Sequence, residues 1–179
     1  LRSDIFGTEP GNAGTFSGEA TQGLERFWQQ TLSLDAAGVS NFGDFYSNIV
    51  QINLLIDKLN NSNIVTAANK NYYLGLAYGM RAYYYFQLTR AWGDVVIQTD
   101  PISSIDVSNL AKAASPAADV MALIKSDIEN SVTSCRSDYR FRNARSFWSK
   151  AATHMLKAEA YLWTAYRSGG TADANTALN

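Results

Sequence analysis

Apolar positions recur at helical spacing in four stretches of the chain. In the first, Phe45, Ile49, Ile52, Leu55, Ile56 and Leu59 form a one-sided stripe that predicts a helix over Asp44–Leu59. It stops at Asn60-Asn61-Ser62-Asn63, where short amide side chains compete for backbone hydrogen bonds and favour turns. The second predicted helix, Thr66–Trp92, has no polar face to speak of. Gly75, Ala77, Gly79 and Ala82 are small enough to admit a neighbouring backbone, while Tyr78, Met80, Tyr84, Tyr85 and Leu88 project on several sides. Such a helix is expected to be buried nearly all round. Gly93 suits the left-handed conformation that ends a helix, and Val95–Ile97 reads as a short extended exit.

A linker containing Asp100-Pro101 leads to the third predicted helix, Pro116–Val132, with Ser115 as its cap, Pro116 at its first position and Asp119 near the positive end of its dipole. Asp138–Asn143 reads as a polar turn. The fourth helix runs from Phe147 to Arg167 and ends at Ser168-Gly169-Gly170. Residues 1–43 differ in kind: Gly, Ser, Thr and Asn dominate, turn formers stand at Glu9-Pro10-Gly11-Asn12, and only Glu25–Leu32 suggests a helical turn. The chain therefore divides into a loop-rich segment, 1–43, and a helical region, 44–179. The expected fold is all-α, built of antiparallel helix pairs in the manner of tetratricopeptide repeats behind a long irregular N-terminal loop. The repeat consensus W-x2-L-G-x2-Y is half present at Leu74, Gly75 and Tyr78, although no clean period of about 34 residues overlays the chain.

Composition narrows the function classes. Of 179 residues, 46% are apolar, enough for a core, and 17% are charged, below the roughly 25% usual for globular domains, so parts of the surface are expected to be covered. With 15 basic and 16 acidic residues and no clustering of either sign, there is no field to hold nucleic acid. Cys135 is the only cysteine, which excludes an internal disulfide and any Cys/His metal spacing; it is expected to act as a small, at least half-buried apolar group. No apolar run reaches the length of a membrane span, and Leu1–Phe6 has neither the charged nor the apolar region of a signal peptide.

Gly75, Ala77, Arg81, Ala82, Tyr85, Phe86, Leu88, Arg90, Trp92, Gly93, Asp94 and Val95 fall without a gap on the pattern G-E-A-x-F-L-R-A-x-x-Y-F-x-L-x-R-x-Y/W-G-D-V-P. By this helix the chain resembles the SusD/RagB family, surface lipoproteins of Bacteroidetes-type outer membranes. The Glu and Pro of the pattern are replaced by Leu76 and Val96. Three further segments resemble the family in the same order: Tyr46, Ile49, Asn53 and Ile56, with Asn53 a polar residue on an apolar stripe; Val120, Ile124, Asp127 and Ile128, with Ser131 in place of an Ala; and Ala151, Ala152, Leu156, Ala158, Tyr161 and Leu162. The resemblance implies non-catalytic capture of glycans or peptides at the cell surface for a SusC-like TonB-dependent transporter, with no cofactor. It also implies a signal peptide, a lipidated Cys and a first helix ahead of the segment Arg2-Ser3-Asp4. None of these is present in the chain, which suggests a processed or truncated piece whose membrane attachment is an absent lipid anchor.

Each candidate for chemistry has a plainer reading beside it. His154 has no Ser, Cys or carboxylate at a spacing that makes a nucleophile pair, and reads as structural. Asp127 and Glu129 are two apart on a helix, face different sides, and read as a solvated face rather than an acid and base pair. Tyr72, Tyr73, Tyr83, Tyr84 and Tyr85 offer stacking faces for sugars, although core packing suits so apolar a helix better. Arg81 and Arg90 need carboxylates or helix C-terminal carbonyls if they are buried. The loop is the better place for ligand contact: Trp28, Arg26, Phe16 and Asp4 are the candidate binding residues, with Phe27 and Phe42 as further loop aromatics, because aromatics on loops held by a rigid scaffold are a common recognition device. For Trp28 and Phe42 the alternative is that they cap the helices. No catalytic or metal site is expected. Two functions remain open: nutrient capture, which needs the aromatic loop, and a helical-repeat scaffold for a protein partner, which does not.

Overall fold

The computed structural model describes residues 42–102, 111–135, 147–168 and 170–178. They form five helices: α1 Gly43–Asn60, α2 Ala67–Trp92, α3 Ala117–Ser134, α4 Lys150–Ser168 and α5 Thr171–Ala177. The chain divides into two compact units between Asp44 and Phe45, and the description below concerns the second. Among the described residues there is no strand, only an isolated antiparallel bridge between Val95 and Ser115. The fold is all-α, as the periodicity predicts, and α1 to α4 start and stop within a few residues of the expected bounds.

The helix starts show where local reading suffices. Thr66 caps α2, its side chain accepting from the Asn69 N–H at 3.4 Å. Gly93 ends the same helix at φ 78°, a conformation that a Cβ would strain, and its N–H returns to the Thr89 carbonyl. The start of α3 corrects the expectation. Pro116, not Ser115, stands at the N-cap, and no side chain of its own segment caps the helix. Asp94 does so from 23 residues away, accepting the Ala117 N–H at 2.8 Å, while the Ser115 N–H bonds the Val95 carbonyl. Pro116 lacks an N–H and its fixed φ suits a helix start, so the remaining need is an acceptor for the first free donor, which Asp94 supplies. At α4, Ser149 accepts the Ala152 N–H and the helix begins at Lys150, leaving Phe147 outside it and exposed. Helix α5 lies beyond the last predicted element.

Consecutive helices run antiparallel. Residues near the start of α2 meet the end of α3 through Gly75 and Ser131, and Arg81 farther along α2 meets Asp127. The start of α4 meets the end of α3 through Thr153 and Ser131, and Tyr161 meets Glu129. The contact between α2 and α3 is extensive, and glycine makes it close. A Cβ at Gly75 would sit 2.7 Å from the Cys135 sulfur and 2.9 Å from its backbone nitrogen; one at Gly79 would strike the Trp148 indole and lie 2.8 Å from the Ser131 hydroxyl. The core gathers Ile49, Ala82, Tyr85, Phe86, Leu88, Val120, Ile124, Ile128, Leu156 and Ala160; a second cluster joins Ile52, Ile56 and Leu59 of α1 to Leu74 and Ala77 of α2. Tyr73 and Tyr83 are exposed, so α2 is buried on most of its circumference rather than all of it.

Candidate functional site

The candidate binding residues of the loop, Asp4, Phe16, Arg26 and Trp28, lie outside the described residues, as does Phe27; Phe42 is described and half exposed. Among the described residues, two arrangements stand out: a buried polar chain and an open cavity.

The polar chain runs through the core. Arg81 donates to both carboxylate oxygens of Asp127, from Nε at 2.7 Å and from Nη2 at 2.8 Å, and its Nη1 donates to Asn53 Oδ1 at 2.8 Å. Asn53 Nδ2 donates onward to the Gln98 carbonyl at 2.8 Å. The Tyr85 hydroxyl donates to that same carbonyl and accepts the Gln98 N–H, both at 2.8 Å. Beside it, Tyr46 donates to the Val96 carbonyl at 2.7 Å. An extended segment has a row of backbone groups that need partners, and here side chains of α1 and α2 supply them where a neighbouring strand would. Asp127 is thus 1% exposed and salt-bridged, which corrects the solvated reading; Glu129 is exposed, as expected. Burial opposes the Arg81 charge, but the hydrogen bonds and charge of Asp127 outweigh it and keep the guanidinium protonated. Burial pushes the Asp127 carboxyl upward while Arg81 pulls it down.

Tyr85 settles the question of an aromatic platform on α2: it is fully buried and spends its hydroxyl on Gln98. Tyr72 meets Tyr73 edge-on at 5.2 Å and Tyr83 lies tilted against Trp148 at 5.7 Å, so these rings do not share one plane. Burial pushes the Tyr85 phenol up to about 12 from its ordinary 10. A group whose pKa is raised by folding stabilises the protein fully below its unfolded value and loses that contribution as pH rises through the folded one. Stability is therefore expected to fall between pH 10 and 12, with a shallower fall in Tyr85→Phe, read by chemical denaturation across that range. An equal slope in the variant would show that Tyr85 has no part in it.

The cavity, of about 650 Å³, opens where the end of α2, the start of α3, the end of α4 and α5 converge. Its apolar wall is Met121, Ala122 and Trp163, and its polar wall includes Arg90, Lys125, Thr164, Arg167 and Asp173. Arg90 pairs with Glu159 and stacks on the Phe86 and Trp163 rings, so it has found the partner it was expected to need. Lys125 pairs with Asp173 at 2.7 Å, and Thr164 donates to the same carboxylate; these bonds hold Asp173 below the usual carboxylate range. No local pattern along the chain marks this cavity, because its residues come from four separate elements. His154 is half-buried on α4, and burial together with Lys150 and Lys157 lowers its pKa. Cys135, half-buried, has its thiol pushed up by burial, away from a reactive thiolate. No group of His, Cys, Asp and Glu suited to a metal occurs among the described residues, and no helix there is long and apolar enough to cross a membrane.

Comparison with known proteins gives these features a context. Residues 12–162 match the SusD-like family model described as "Starch-binding associating with outer membrane". SusD-like protein P38 of Formosa agariphila is 35% identical over 119 residues, 65% of this chain and 23% of the relative. B. fragilis NanU is 50% identical with a TM-score of 0.81, covering 98% of this chain and 34% of the solved one. A SusD superfamily protein from Bacteroides vulgatus is 48% identical with a TM-score of 0.79, covering 90% and 32%. The chain thus spans about a quarter to a third of the length of these relatives. A laminarin-binding SusD-like protein shares the fold at 20% identity and a TM-score of 0.72. The residues that carry the resemblance, Tyr46, Asn53, Arg81, Tyr85, Asp94 and Asp127, are here the pins that hold the exit segment and cap α3, and with the family model matched over most of its length the chain belongs to the SusD-like family.

Proposed function

We propose that the protein captures glycans, or peptides, at the bacterial cell surface and delivers them to a SusC-like TonB-dependent transporter, without catalysis. The observation that carries this reading is the match of residues 12–162 to a family described as starch-binding and associated with the outer membrane. In this reading, residues 1–43 contribute to the ligand face and 44–179 form the helical scaffold. In this reading a lipid anchor holds the protein on the outer membrane. Trp28 has the largest stacking face in the loop, Arg26 beside it presents a planar fork of donors, and Phe16 and Asp4 complete the contact set. An open site that must release its cargo to a transporter favours affinities of about micromolar or weaker.

Titration calorimetry of the full-length protein against candidate oligosaccharides tests the reading. Trp28→Ala is expected to keep the fold and weaken binding about tenfold or more, the loss of one stacking face. Unchanged affinity removes Trp28 from the site, and turnover of the bound glycan by the wild type overturns the non-catalytic assignment.

A further inference from the structure

We infer that the cavity between the ends of α2, α3 and α4 is a binding site for a small organic carboxylate. Its volume, about 650 Å³, lies within the range of small-molecule sites. Its lining carries three cations, Arg90, Lys125 and Arg167, against one carboxylate, Asp173. Two of the cations are matched, Lys125 by Asp173 and Arg90 by Glu159. Arg167 is not: among the described residues it pairs with no carboxylate and lies 5.4 Å from the centre of the Trp163 ring. Stacking holds a guanidinium plane while its N–H edge stays free, the geometry that meets a carboxylate with two parallel hydrogen bonds.

A further feature of the wall points the same way. Thr89, also in the wall and 7% exposed, keeps its buried hydroxyl without a hydrogen-bond partner among the described residues. Buried hydroxyls are rarely left so. Met121 and Ala122 offer apolar surface to the body of the ligand. Both sugar acids and peptide C-termini carry the required carboxylate. The inference stands on the cavity alone and does not depend on the loop proposed above to hold a glycan.

Ligands matched in all but charge test it on the full-length protein. D-glucuronate is compared with D-glucose, and N-acetylalanine with its amide, following the Trp163 indole N–H resonance. At least one carboxylate is expected to bind tenfold or more tightly than its neutral partner, and Arg167→Gln to abolish that preference; Lys125→Met, which removes a cation already matched, is expected to weaken it less. A response to glucuronate alone assigns the site to sugar acids, to N-acetylalanine alone to peptide C-termini, and to both to the carboxylate as such. No preference in either pair, a preference that survives in Arg167→Gln, or an unresponsive Trp163 overturns the inference. Neutral oligosaccharides titrated in parallel report separately on the proposed glycan capture.

Discussion

Asp127→Ala is expected to lower the unfolding free energy by about 3 to 5 kcal/mol, the loss found when one partner of a buried ion pair is removed. The cause is what remains. Arg81 is 6% exposed and protonated, and without Asp127 its one remaining hydrogen-bonded partner among the described residues is Asn53, with the Tyr78 ring at 5.4 Å. Two donor groups that now reach carboxylate oxygens would lie in the core unpaired, and Asn53, shared between Arg81 and the Gln98 carbonyl, would be drawn between the two. The damage should therefore spread from α3 through α2 to the exit segment. The double variant Arg81→Met with Asp127→Leu separates this from mere loss of contact: apolar groups of similar volume in place of both charges are expected to cost clearly less than the single change. Urea denaturation of the wild type and the variants decides. A loss below about 1 kcal/mol for Asp127→Ala would mean that water reaches Arg81 and that the core is not closed around it.

This network also shows why some of the structure was legible in the sequence and some was not. The stripes of α1 and α3 predicted their buried residues because one apolar face at helical spacing is enough to orient a helix. Comparing Asp127 with Glu129 alone hides its burial. It lies three residues after Ile124 and four before Ser131, on the same buried face as Val120, Ile124 and Ile128, so its position on the stripe was a signal of burial, and Arg81 on an apolar helix was the matching one. The cap of α3 could not be found locally, since the acceptor is Asp94, delivered by the turn at Gly93. Helix α5 has no apolar stripe: it docks through Asp173 on Lys125 and Thr164, a polar contact that periodicity does not report. The cavity was invisible for a related reason, since Arg90, Lys125 and Arg167 approach one another only once three helices have packed.

Phe86→Ala is expected to cost about 3 to 5 kcal/mol, the range for a large aromatic truncated in a core, and to disturb the cavity as well. Phe86 is fully buried, meets Trp163 edge-on at 6.1 Å and carries Arg90 over its face at 5.2 Å. Its ring therefore joins the core of α2 to the wall of the cavity, and the void left behind would sit beneath two residues that line it. Tyr85→Ala is expected to fall in the same range of about 3 to 5 kcal/mol, because it both empties core volume and strips the Gln98 N–H of its partner. Tyr83, 40% exposed and two residues before Tyr85 on α2, is the internal control: its truncation removes less buried surface and should cost clearly less than either. Urea denaturation gives the three losses, and the Trp163 fluorescence of folded Phe86→Ala reports on the cavity wall. Losses below about 1 kcal/mol for both Phe86 and Tyr85 would show that α2 is not the centre of the core. A full loss for Phe86 with unchanged Trp163 fluorescence would keep the core and detach the cavity wall from it.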